Sequence, residues 1–162
     1  AFVPARSVRR QLFQLLKTLD AAPPGAGTKL GPVLHRVADR VHRRGLVLLF
    51  SDLLDDPHEV LTGLKHFRHR GHEVIVFHIL DPREIDLAFP SELEFVALED
   101  QDRSLRTDPA HVRAAYRERF DDWRQHLRHE CRRQLIDLVE ITTETALETA
   151  LYAYLQKRKR LY

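Results

Sequence analysis

The sequence predicts an α/β fold with a parallel sheet at its centre. Three observations carry that prediction. Residues 46–50 (LVLLF) and 74–80 (VIVFHIL) are unbroken apolar runs, too short for helices and typical of strands buried on both faces. A helical pattern lies between them, so residues 46–80 read as a βαβ unit with parallel strands and a right-handed crossover. The 162 residues, 43% hydrophobic and 31% charged, suffice for a real core in one domain spanning residues 1–162.

The same composition excludes several classes. Lys+Arg 26 against Asp+Glu 24 gives a formal charge of +2, which demands neither nucleic acid nor disorder. No apolar run approaches the roughly 20 residues of a membrane-spanning helix. A single cysteine makes no internal disulfide, and the expected setting is reducing and cytoplasmic. No Walker A loop, G-x-G-x-x-G, G-x-S-x-G or Cys/His nucleophile pairing occurs.

The elements follow in order. Ser7 is placed to cap a helix running to about residue 19, with Val8, Leu12, Leu15, Leu16 and Leu19 on one face. Turn-formers at 20–27 (DAAPPGAG) stop it. A second helix after Thr28 carries Leu30, Val33, Leu34, Val37, Ala38 and Val41, tolerates Pro32 in its first turn, and ends by Gly45. After the first strand, Asp56-Pro57 starts a third helix with Val60, Leu61, Leu64 and Phe67 inward, closed by Gly71. Asp81-Pro82 breaks the second strand. Residues 93–98 and 104–107 read as a small polar hairpin. Asp108-Pro109 opens the longest helix, to about residue 134, with Val112, Tyr116, Phe120, Trp123, Leu127 and Cys131 on one stripe. Residues 136–141 give a third strand, and a last helix turns Leu147, Ala150, Leu151, Tyr154 and Leu155 inward.

Three strands are few for that much helix. Fully apolar strands need helices on both faces and neighbours on both edges. The expectation is that strands are missing on the N-terminal side, or that a second copy supplies the pairing as a homodimer through an open edge. The simpler alternative has residues 93–98 or 1–3 completing the sheet.

The segments RGLVLLFSDLLDDP (44–57) and RGHEVIVFHILDP (70–82), in that order and separation, resemble the DUF58 family, proteins with a von Willebrand factor A-like domain. The Asp108-Pro109 to Tyr116 stretch and the end after Thr142-Thr143 are similar to the same family's tail. The resemblance implies a doubly wound, Rossmann-like three-layer sandwich with the hairpin as an insertion. It also implies a metal-ion-dependent adhesion site at the strands' C-terminal edge. There a D-x-S-x-S loop, a Thr and an Asp hold a divalent ion. Thr28 matches the Thr position and Asp52 the Asp position; no D-x-S-x-S occurs in the chain. Mg²⁺ is therefore expected only where an upstream segment supplies that loop. A MoxR-type AAA+ ATPase is the partner the resemblance implies.

Each candidate has a plainer role beside the functional one. Asp52 leaves a strand at the edge where open α/β sheets bind ligands; it offers oxygen to Mg²⁺ or folds back on its own backbone. Thr28 reaches an ion or caps the next helix. Ser51 supports Asp52 with a hydrogen bond or merely ends the strand. Asp81 adds a further oxygen at the same rim or makes an Asp-Pro turn. Asp52, Asp55 and Asp81 together are the alternative reading, a divalent-metal-dependent hydrolase or nuclease. His126, His129 and Cys131 fit no closed zinc spacing, and His66, His69 and His72 are expected in solvent at a helix end. Lys157-Arg158-Lys159-Arg160 is a solvated basic tail, with nucleic-acid binding the weaker option. The expectation is a non-enzymatic protein–protein interaction module with a partial adhesion site and no catalytic residues.

Overall fold

The two apolar runs and the helix between them do form a parallel βαβ unit. The structure, a computed structural model, describes residues 3, 6–21, 29–89, 92–97 and 104–159. The elements are α1 (Arg9–Asp20), α2 (Leu30–Arg40), β1 (Leu46–Ser51), α3 (Pro57–His69), β2 (Glu73–Leu80) and α4 (Pro82–Asp86). Then come β3 (Leu93–Val96), β4 (Ser104–Thr107), α5 (Pro109–Arg133), β5 (Asp137–Thr142) and α6 (Leu147–Lys159).

The sheet runs β1-β2-β5, parallel throughout, with Leu48 beside Ile75, Phe50 beside Phe77 and His78 beside Glu140. On one face, Val74 and Val76 with Val47, Leu49 and Leu138 pack against α2, α3 and α5. On the other, Ile75 and Phe77 with Val139 and Ile141 meet Leu151 and Tyr154 of α6. The central strand β2 is therefore the strand type its sequence predicts.

Sequence punctuation sets most boundaries. Asp56 caps α3, its Oδ1 accepting from the His58 and Glu59 amides. Gly71, at φ +81°, turns the chain from α3 into β2. Asp108 caps α5 through Ala110 N. The hairpin forms as expected, β3 antiparallel to β4, though Leu98 and the turn at 99–103 lie outside the described residues.

Several expectations are corrected. β1 is not buried on both faces: Leu46, Leu48 and Phe50 are 51%, 47% and 43% exposed, because α6 covers β2 and β5 but not β1. Residues 93–96 pair only with β4, so they do not complete the main sheet; residue 3 is no strand, and 1–2 lie outside the described residues. α1 has its amphipathic pattern, yet Val8, Leu12, Leu15, Leu16 and Leu19 are all exposed. Its N-cap is Val8, so Ser7 does not cap it. α2 ends at Arg40, short of Gly45. Asp81-Pro82 makes more than a turn: a capping box with Glu84 opens the short α4. Leu155 points outward, and the side chain of Leu147 lies outside the described residues. His72 is buried, its ring edge-on to Phe67 at 5.9 Å, rather than solvated.

Candidate site at the carboxyl edge of the sheet

Because all three strands run the same way, the residues that follow them gather at one edge. Asp52 follows β1, Asp81 follows β2 and Thr143 follows β5. Thr143 N donates to Leu80 O at 3.0 Å, and Thr143 Oγ1 lies 3.4 Å from Asp81 Oδ2. The sequence offered no signal for Thr143; only the β2–β5 pairing brings it to Asp81.

Asp52 stands on a tightly made loop. Its neighbour Leu53 is 1% exposed and adopts φ +57°, a left-handed conformation costing about 1–2 kcal/mol in a residue with a Cβ. Burial of the Leu53 side chain holds the backbone there. Asp52 Oδ1 accepts from Leu54 N at 3.1 Å, and Ser51 Oγ accepts from Leu53 N at 3.1 Å. Ser51 Oγ also lies 3.5 Å from Asp52 Oδ1, so Ser51 braces the loop. The Asp52 carbonyl accepts from Nε2 of His78, which is wholly buried, at 3.0 Å.

That histidine belongs to a partly buried polar network the sequence did not reveal. His78 Nδ1 faces Glu140 Oε1 at 3.8 Å. Arg124 grips Glu140 with two bonds of 3.2 and 3.0 Å, and Arg128 adds one of 2.5 Å. The His78 ring, then the two guanidiniums, hold the Glu140 carboxyl down to about 2 against the desolvation that opposes them. Trp123 closes the far side of His78 at 5.2 Å, edge to face. The floor under Asp52 is thus cross-linked from α5 to β5 to β2.

Asp55 has a different task. Its Oδ2 accepts from Leu30 N at 2.6 Å and its Oδ1 from Asp56 N at 2.8 Å, and these bonds lower its carboxyl below the ordinary range. Asp55 thus holds the first turn of α2 from another element. Thr28, the side chains of Lys157 and Arg158, and all of Arg160 lie outside the described residues. Asp81 spends Oδ1 on the Arg83 amide.

These commitments limit what the edge does chemically. Among the described residues no three His, Cys, Asp or Glu side chains lie together as a metal-holding group. Mg²⁺ prefers six oxygens in near-octahedral array. Asp52, Asp55 and Asp81 each accept from at least one backbone amide, so the described set does not fit the ion by itself. Cys131 is wholly buried, and desolvation pushes its thiol up to about 11, away from nucleophilic use.

Residues 1–130 match the family described as "Protein of unknown function DUF58". An uncharacterized protein of Mycobacterium bovis and one of Mycobacterium tuberculosis are each 30% identical over 128 residues, covering 71% of this chain and 39% of the relative. An uncharacterized protein of Mycobacterium avium is 32% identical over 128 residues, covering 71% of this chain and 73% of that relative. The chain thus spans about two fifths of the length of the first two. No solved structure matches it.

Proposed function

This chain belongs to the DUF58 family, and from that premise we propose that it is a non-enzymatic protein-interaction module, the C-terminal part of a von Willebrand factor A-like domain. Its docking edge is the carboxyl end of β1, β2 and β5, with Asp52 as the presented carboxylate. The observation that carries the reading is the loop itself. An exposed Asp sits on a strained turn braced by Ser51 and by the buried His78, so the carboxylate is held rigidly where ligands of open α/β sheets bind. Thr28 and Asp81 flank it in the adhesion-site reading, and Mg²⁺ joins only with an upstream D-x-S-x-S loop. The partner implied by the family resemblance is a MoxR-type AAA+ ATPase.

Calorimetric titration of such an ATPase into the chain tests this. Asp52→Ala is expected to weaken binding about tenfold, the size of one lost charge-assisted contact, while the far-ultraviolet spectrum stays unchanged. Equal binding by the variant defeats the reading. So does turnover of a phosphodiester in Mg²⁺ or Mn²⁺ that depends on Asp52, Asp55 and Asp81.

A further inference from the structure

Building on the carboxyl edge as a docking site, we propose that the groove beside it seats an apolar side chain of the same partner, and that Arg119 pairs a carboxylate adjoining that side chain. The cavity, about 530 Å³, lies between the loop after β1, strand β4 and the first half of α5. Its wall is an aromatic ladder. Tyr116 stacks on Phe120 at 5.6 Å between ring centres, Phe120 lies 5.3 Å from Trp123, and Trp123 abuts His78. Tyr116 O–H donates to Glu84 O at 2.7 Å and fixes the ladder's open end.

The mouth is formed by Leu54, Leu105 and Val112, which are 61%, 64% and 39% exposed. Single exposed apolar residues are ordinary; three from three separate elements converging on one cavity mark an interaction surface. Of the apolar stripe on α5, Leu127 and Cys131 are buried, and its N-terminal part lines this groove. Leu54 N is bonded to Asp52 Oδ1, so the groove and the presented carboxylate share one loop.

Charge decides the occupant. Arg119 is the one charged residue lining the groove, and it makes no ion pair among the described residues. A guanidinium at the lip of an aromatic cavity fits a segment in which an aliphatic or aromatic residue adjoins an acidic one. The ring wall takes the apolar side chain, and the planar fork takes the carboxylate with two parallel bonds. A basic segment meets that exposed cation with like charge, and a purely apolar one leaves it to solvent.

Trp123 is the only tryptophan in the chain, so its emission reports the groove directly. The full chain is titrated with the peptides acetyl-Gly-Phe-Glu-Gly-amide, its Gln counterpart and its Lys counterpart. The Glu peptide is expected to give a saturable change in emission, with affinity about tenfold lower for the Gln peptide and for Arg119→Gln. Arg119→Glu is expected to reverse the preference toward the Lys peptide. Equal responses to the three peptides, or none, overturn the proposal. In the ATPase titration, weakening by Asp52→Ala but not by Arg119→Gln overturns the groove and spares the edge. Weakening by Arg119→Gln alone does the reverse, and weakening by neither removes both. A concentration-dependent dimer in sedimentation that Val112→Glu dissolves overturns the proposal by making a second copy the occupant.

Discussion

Glu140 shows what a single residue does here. It lies directly beside His78 across two parallel strands, and both side chains share the face that α5 covers. Nothing in the linear sequence joins two residues so far apart; the pair becomes legible only once the β2–β5 register is known. Its carboxyl sits at about 2 instead of the ordinary 4.5, so the folded state favours the anion. The anion therefore contributes stability at every pH above about 4.5, and that contribution is lost as pH falls through 4.5 toward 2. A gap of this size corresponds to about 3 kcal/mol at most, and solvent around Arg128, which is 40% exposed, trims it toward 1–2. Glu140→Gln is expected to lower stability by about that amount at pH 7. It is also expected to flatten the dependence on pH between 5 and 2, as read from urea midpoints. An unchanged slope contradicts the assignment. By contrast, Asp56, Asp108 and Gly71 were readable directly, because caps and turns depend on near neighbours in sequence.

At the scale of elements, the junction of α2 and α3 sets how the site is framed. Gly31 and Gly63 let the two helices approach so closely that a Cβ on Gly63 falls 2.7 Å from Leu34 Cβ. A Cβ on Gly31 falls 2.7 Å from Glu59 Cβ and 3.1 Å from its backbone. Alanine in a helix ordinarily gains up to about 1 kcal/mol over glycine. Here overpacking, at about 1–3 kcal/mol, outweighs that gain. Gly63→Ala is therefore expected to destabilise by about 1–2 kcal/mol in chemical denaturation, whereas propensity alone predicts stabilisation. A rise in the midpoint shows that the helices part at little cost. The close approach also explains why Asp55, on the loop before α3, reaches Leu30 N. Sequence periodicity named both helices but not their contact, since it reports which face is apolar and not what meets it. α1 teaches the same limit: its stripe is present, and the partner the stripe calls for is not among the described residues.

For the molecule as a whole, the open side of β1 carries the largest consequence. The α/β class, the parallel order and the position of Asp52 at the rim were all legible from two apolar runs and the helix between them. The exposed outer face of β1 was not, because an apolar run is the same string whether or not a helix covers it. Leu46, Leu48 and Phe50 form that face, and among the described residues β1 has a neighbour only at β2. Phe50 stacks on Phe77 at 4.7 Å, so the exposed face continues into the core that α6 covers. An apolar strand with an unpaired edge is a template for another strand. Leu48→Lys is thus expected to change the unfolding free energy of this chain by no more than about 0.5 kcal/mol, the range of a surface site. Val76→Lys, at a wholly buried position on β2, is expected to cost more than about 4 kcal/mol. If the parent chain associates through this edge, the same Leu48→Lys chain is expected to sediment as a monomer, since a charge on an edge strand blocks strand addition. If Leu48→Lys instead unfolds the chain as Val76→Lys does, the outer face of β1 is covered, and the layer that covers it comes from a segment or a copy that packs there in solution.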